Sequence, residues 1–202
     1  MITFDYIMSI DKDRLPEAAK AAERSDLPLL VDWLSEKDDR IRYQVLLILQ
    51  YRSQFFDDVY PFWETFRLKL KSDNSYQSSI GLMLIAENVK WDAENKMEST
   101  IDEYLELLND EKPITIRQCI QSLGKVVPYK PGLNDKIAGK LISFNFISIK
   151  ETMRKSILLD ILNVLLIIRN ELKTDEIESF ILNALSGEML DKKSKKQIAS
   201  LL

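Results

Sequence analysis

The sequence predicts an all-α fold: about five helical hairpins stacked side by side, with a capping helix at the N-terminus. Three observations predict it. Breakers are scarce, with five glycines and six prolines in 202 residues, against usual frequencies of about 7% and 5%. One phrase recurs, as "RIRYQVLLIL", "SYQSSIGLML", "ITIRQCIQSLGKVV" and "ETMRKSILLDIL". Each copy carries apolar residues at helical spacing.

The elements follow in chain order. "FDYIM" and the Ala-rich "LPEAAKAAERS" form a cap over residues 1–26, with Pro16 at a helix start, where its missing N–H costs nothing. The hairpins cover about 27–57, 58–91, 98–131, 133–173 and 174–202. Their first helices are marked by Leu27, Leu30 and Leu34; by Phe62, Phe66 and Leu70; by Ile101, Tyr104, Leu105 and Leu108; by Ile137 and Leu141; and by Ile177, Ile181 and Leu185. Polar turns come next, with acids at Asp39, Asp73 and Asp110. The second helices open on the markers Arg42, Gln77, Arg117 and Arg154, spaced by 35, 40 and 37 residues, and a fainter copy follows at Lys195. An aliphatic residue stands three positions after each marker: Val45, Ile80, Ile120, Ile157 and Ile198. One such hairpin cannot hide its apolar stripe alone, whereas stacked copies join their stripes into one core. With no Gly/Ser-rich break in the chain, 1–202 reads as a single domain.

A period near 37 residues, an acid in the turn and an apolar–Arg pair opening the second helix (Ile41-Arg42, Ile116-Arg117, Met153-Arg154) resemble HEAT repeats, of the HEAT/armadillo-like solenoid family. The resemblance covers about 27–202. It departs at Gln77, at the stretched "SFNFIS" and in the last copy. It implies a right-handed α-α superhelix whose second helices line a concave face. The marker arginines are expected to pair with turn acids of their own or a neighbouring repeat.

Composition removes whole classes of chemistry. There is no histidine, which excludes Ser/His/Asp and Cys/His catalysis and His-ligated metals. The one cysteine, Cys119, lies on the apolar stripe of its helix and reads as core. The acids Asp102, Glu106 and Asp110 fall at i, i+4 and i+8 and read as a solvated helix face. Neither a catalytic centre, a metal nor a cofactor is expected. The longest apolar run, 157–168, is twelve residues and contains Asp160 and Asn163, short of the roughly 20 that span a bilayer. The lone cysteine and the absence of a basic leader point to the cytoplasm.

Charge is uneven. The net charge is -4. In the last three hairpins, first helices with their flanks carry -10 and second helices with their turns +9. On the concave face that the resemblance implies, this makes a mildly basic lining over an acidic exterior. Arg117, Gln118, Lys125, Arg154 and Lys155 are then the candidate partner contacts, joined by Asp160 and Asn163 on a narrow polar stripe of the most apolar helix. Tyr60, Phe62, Trp63 and Phe66 cluster around Pro61 and read as core of the second hairpin, with Trp63, off the Phe62–Phe66 stripe, a candidate exposed contact residue. The expected function is non-catalytic: a scaffold binding a protein or acidic peptide segment. The alternative is nucleic-acid binding, as in the HEAT-like DNA-alkylation-repair glycosylases that this chain resembles faintly at Trp91-Asp92. Against it stands the overall acidity.

Overall fold

The computed structural model describes residues 2–202, which form helices joined by turns and loops, with no strand among them. They pack as two compact units, 1–96 and 97–202. Among the described residues no helix is long and apolar enough to cross a membrane.

The first unit holds α1 (Phe4–Ser9), α2 (Leu15–Ala21), α3 (Leu27–Trp33), α4 (Asp39–Phe55), α5 (Trp63–Leu70) and α6 (Ser75–Asn88). Local chemistry starts these helices where they start. Thr3, Asp38 and Asn74 accept backbone N–H bonds at the heads of α1, α4 and α6, and Pro16 and Pro28 stand in the first turns of α2 and α3. Helices α3 and α4 form one pair and α5 and α6 the next. Helices α2, α4 and α6 pack in succession.

The phase of α5 corrects one expectation. The helix begins at Trp63, after a 3-10 turn over Tyr60–Phe62. Its inward stripe is therefore Trp63, Phe66 and Leu70, at i, i+3 and i+7, and Trp63 is fully buried rather than exposed. Its ring packs edge-on against Tyr60. Phe62, taken as a stripe residue, is only half-buried. Helix α6 crosses so close to α5 that a Cβ built at Gly81 would lie 2.6 Å from the Phe66 carbonyl oxygen.

A buried ion pair ties the first unit together. The Arg52 side chain donates to both carboxylate oxygens of Asp58, from Nε at 3.1 Å and Nη2 at 2.7 Å. Its Nη1 donates to the carbonyls of Ala19, Lys20 and Ala22, at the C-terminal end of α2. Arg52 and Asp58 are 6% and 7% exposed. One guanidinium thus caps α2, anchors α4 and fixes the chain entering α5.

The second unit holds α7 (Lys96–Glu106), α8 (Pro113–Val126), α9 (Asn134–Ile142), α10 (Glu151–Arg169), α11 (Asp175–Ser186) and α12 (Lys192–Ala199). They form three further pairs, α7–α8, α9–α10 and α11–α12. Helix α8 packs on α10, and α10 on α12. The stripe Ile116, Cys119, Ile120, Leu123 and Val127 is buried as its spacing predicts. Helix α10 is covered on most sides, from Ile157 to Ile168.

Bonds from one pair to the next keep the repeat period. Lys69 reaches Ser35, Gln77 reaches the Leu34 carbonyl, Asn88 reaches Ser53, Arg117 reaches Asp160 and Lys155 reaches Asp191. The separations run from 34 to 43 residues.

Candidate functional site

The marker residues do different work in different pairs. Arg42 donates to Asp39 and to the carbonyls of Glu36 and Lys37, so it staples its own turn. Arg154 does the same, donating to the carbonyls of Ile149 at 2.9 Å and Ile147 at 3.3 Å. Gln77 donates to the Leu34 carbonyl at 2.8 Å and accepts from the Lys69 ammonium at 2.5 Å. Burial pushes the Lys69 pKa down.

Arg117 instead crosses to the next second helix. Its Nε lies 2.6 Å from Asp160 Oδ2 and its Nη2 3.3 Å from Oδ1. Gln121 Nε2 donates to the same Oδ1 at 3.1 Å. Asp160 is 8% exposed, so the Arg117–Gln121 pair roofs a carboxylate set in the most apolar helix. The Asp160 hydrogen bond raises the Arg117 pKa further above its ordinary value. A buried carboxylate needs this company, because its desolvation is costly when it is unpaired.

The predicted contact residues therefore divide. Arg117, Gln118, Lys125, Asp160 and Asn163 lie along the neighbouring faces of α8 and α10, with Lys125 and Asn163 exposed. Gln118 is half-buried and donates to Ser122 Oγ at 3.2 Å. Asp160 faces Arg117 rather than solvent. Arg154 is occupied at its turn. Lys155 pairs with Asp191, which also accepts the Ser194 N–H as the N-cap of α12. These bonds hold the Asp191 carboxyl well below the usual carboxylate range. Two of the candidate cations, Arg117 and Lys155, are thus held by Asp160 and Asp191. What it presents is a polar surface of Gln121, Lys125, Asn163 and Asn170 around Ile167, itself 38% exposed.

Cys119 is fully buried and its thiol donates to the Tyr104 carbonyl at 3.3 Å. Burial pushes the thiol pKa up, away from the reactive thiolate.

The unit also contains a cleft of about 1010 Å³ at the edge where the α7–α8 turn meets the long α9–α10 connection. Its lining includes the buried Leu105, Leu108, Ile116 and Ile149, with Phe144 and Met153 half-buried. Ile114 stands at its mouth, 62% exposed. Lys112, Lys140 and Lys150 also line it, and all three are exposed. Lys112 and Lys150 occupy the N-cap positions of α8 and α10, where α4, α6, α11 and α12 have Asp38, Asn74, Thr174 and Asp191. The repeat alignment did not point to this cleft. Its signal was the extra length of "SFNFISIK" and an isoleucine, Ile114, ahead of its helix's apolar stripe.

No family model matches the chain, and no curated protein sequence matches it. Among solved structures it is similar to the crystal structure of an engineered protein from the Northeast Structural Genomics Consortium. The two are 13% identical with a TM-score of 0.52, over 100% of this chain and 95% of that one. At that identity the likeness shows fold alone, and the fold of this chain is all-α.

Proposed function

We propose that the helix pairs are HEAT-like repeats of one right-handed solenoid domain, and that the chain is a non-catalytic cytoplasmic scaffold. Its partner is a protein or acidic segment docked on the second helices. The observation that carries this reading is the use made of the repeat's own polar side chains. Arg42, Gln77, Arg117 and Arg154 are all spent within or between neighbouring pairs. The polar residues left at the surface form an extended face rather than a concave catalytic pocket, which is what repeat proteins use to bind other proteins. The buried, hydrogen-bonded Cys119 supports it too, since the one thiol of the chain is sheltered from any substrate.

The test uses residues exposed on this face, with helical circular dichroism to confirm that each variant folds. Lys125→Glu combined with Asn163→Glu alters the face, and Ser179→Arg on α11 is the control. Partners captured from a native lysate are expected to be lost with the first variant and kept with the second. Equal capture by both removes the face from consideration. Duplex DNA in a filter-binding titration at about 50 mM salt is expected to show no saturable binding. Binding that weakens steeply with added salt would favour the glycosylase-like alternative.

A further inference from the structure

We propose that the edge cleft of the second unit is a docking site for an acidic-apolar peptide segment, meaning two or three large apolar side chains flanked by Asp or Glu. This site is separate from the second-helix face and does not depend on that reading.

Four features of the cleft point to that occupant. Size comes first. At about 1010 Å³ the cleft stands at the top of the roughly 300–1,000 Å³ range of ligand pockets, room for several residues of peptide. The second is the apolar lining. Leu105, Leu108, Ile116 and Ile149 form it, and Ile114 holds 62% of its surface in solvent at the mouth. Apolar side chains laid there would cover that surface and gain by leaving water.

Charge is the third feature. Lys112, Lys140 and Lys150 converge on the cleft, and among the described residues neither Lys140 nor Lys150 has an ion-pair partner. Asp110 and Glu111 also line the cleft, so its three lysines exceed its acids by one charge, and Asp110 Oδ1 accepts the backbone N–H of Lys112 at 2.7 Å. Lys150, at the N-cap position of α10, also adds positive charge where the helix dipole is already positive. Carboxylates on a partner would relieve that repulsion.

Fourth, the wall has groups that match a peptide main chain. Asn145 uses its Oδ1 on the Ile147 N–H and keeps its amide N–H donors. Asn109 uses its Nδ2 on Glu106 and keeps its carbonyl oxygen as an acceptor. A fatty acid could use only the first, through its carboxylate, and has no donor for the second.

The test is fluorescence anisotropy on the full chain. The probe is a fluorescein-labelled peptide carrying Leu and Phe between Asp and Glu residues. Two matched peptides replace its acids with Lys or its apolar residues with Ser. Saturable binding is expected for the first peptide alone. It should weaken at least about tenfold in Lys140→Glu/Lys150→Glu, since charge complementarity guides such docking. It should weaken as much in Thr152→Trp, which fills the cleft from an exposed position. Helical circular dichroism on each variant separates lost binding from lost fold. The proposal is overturned if the acidic peptide does not saturate by about 1 mM, if the Lys peptide binds as well, or if both variants bind unchanged. It is equally overturned if laurate binds in place of the peptide. Self-association that the lysine variant abolishes would make a second copy of the chain the occupant and overturn it too.

Discussion

Replacing Arg52 with Met tests whether the first unit depends on its buried ion pair. Both partners are under 8% exposed, and the guanidinium satisfies two carboxylate oxygens and three carbonyls. Methionine fills much of the same volume but leaves Asp58 buried without its countercharge. Removing one member of such a pair costs about 3–5 kcal/mol. Urea unfolding slopes of about 1–3 kcal/mol/M make this a midpoint shift of about 2 M. The assay is simple because Trp33, Trp63 and Trp91 all fall within residues 1–96. Tryptophan fluorescence therefore reports the first unit. The double variant Arg52→Met/Asp58→Leu removes the stranded carboxylate and is expected to unfold closer to wild type than Arg52→Met. A loss below about 1 kcal/mol in the single variant would refute the reasoning, because a pair desolvated this far cannot be broken so cheaply.

Gly81→Ala places a methyl 2.6 Å from the Phe66 carbonyl oxygen and 3.1 Å from Leu70 Cδ2. It should cost about 1–3 kcal/mol by thermal or urea unfolding, the usual cost of overpacking. Cys119 should resist iodoacetamide at pH 8 in the native chain and react only on unfolding, as its raised pKa and full burial require. Prompt labelling would contradict that placement. The Asp191 carboxyl has a depressed folded pKa, so its contribution is present above the unfolded carboxylate pKa and is lost as pH falls through the folded value. Hydrogen exchange at the Ser194 and Lys195 amides should thus stay protected down through the ordinary carboxylate range. It should speed up at neutral pH in Asp191→Ala.

The helix pairs were legible because burial constrains apolar residues at fixed spacing, and the cross-pair bonds, at separations of 34 to 43 residues, bracket the marker spacings of 35 to 40. Trp63 was misread because a 3-10 turn reset the phase of α5, and such a turn leaves no periodic signal of its own. The marker arginines were read as pairing with turn acids. Arg42 does so, Arg154 binds turn carbonyls instead, and Arg117 binds an aspartate 43 residues away on a second helix. Sequence spacing cannot separate these outcomes, since they depend on which acceptor lies within a guanidinium's reach. The cleft was invisible for a related reason. Its lysines come from three separate elements, at Lys112, Lys140 and Lys150, and only packing brings them to one place.

The turn staples have a consequence for how such a chain can be cut and rejoined. Arg42 and Arg154 fasten loops that precede them by a handful of residues, so each travels with its own hairpin. Arg117 and Asp160 belong to different hairpins and part company whenever a boundary falls between them. An excision that removes the hairpin bearing Arg117 and keeps Asp160, even in perfect register, therefore strands a carboxylate. One that removes the hairpin bearing Arg42 carries its fastening away whole.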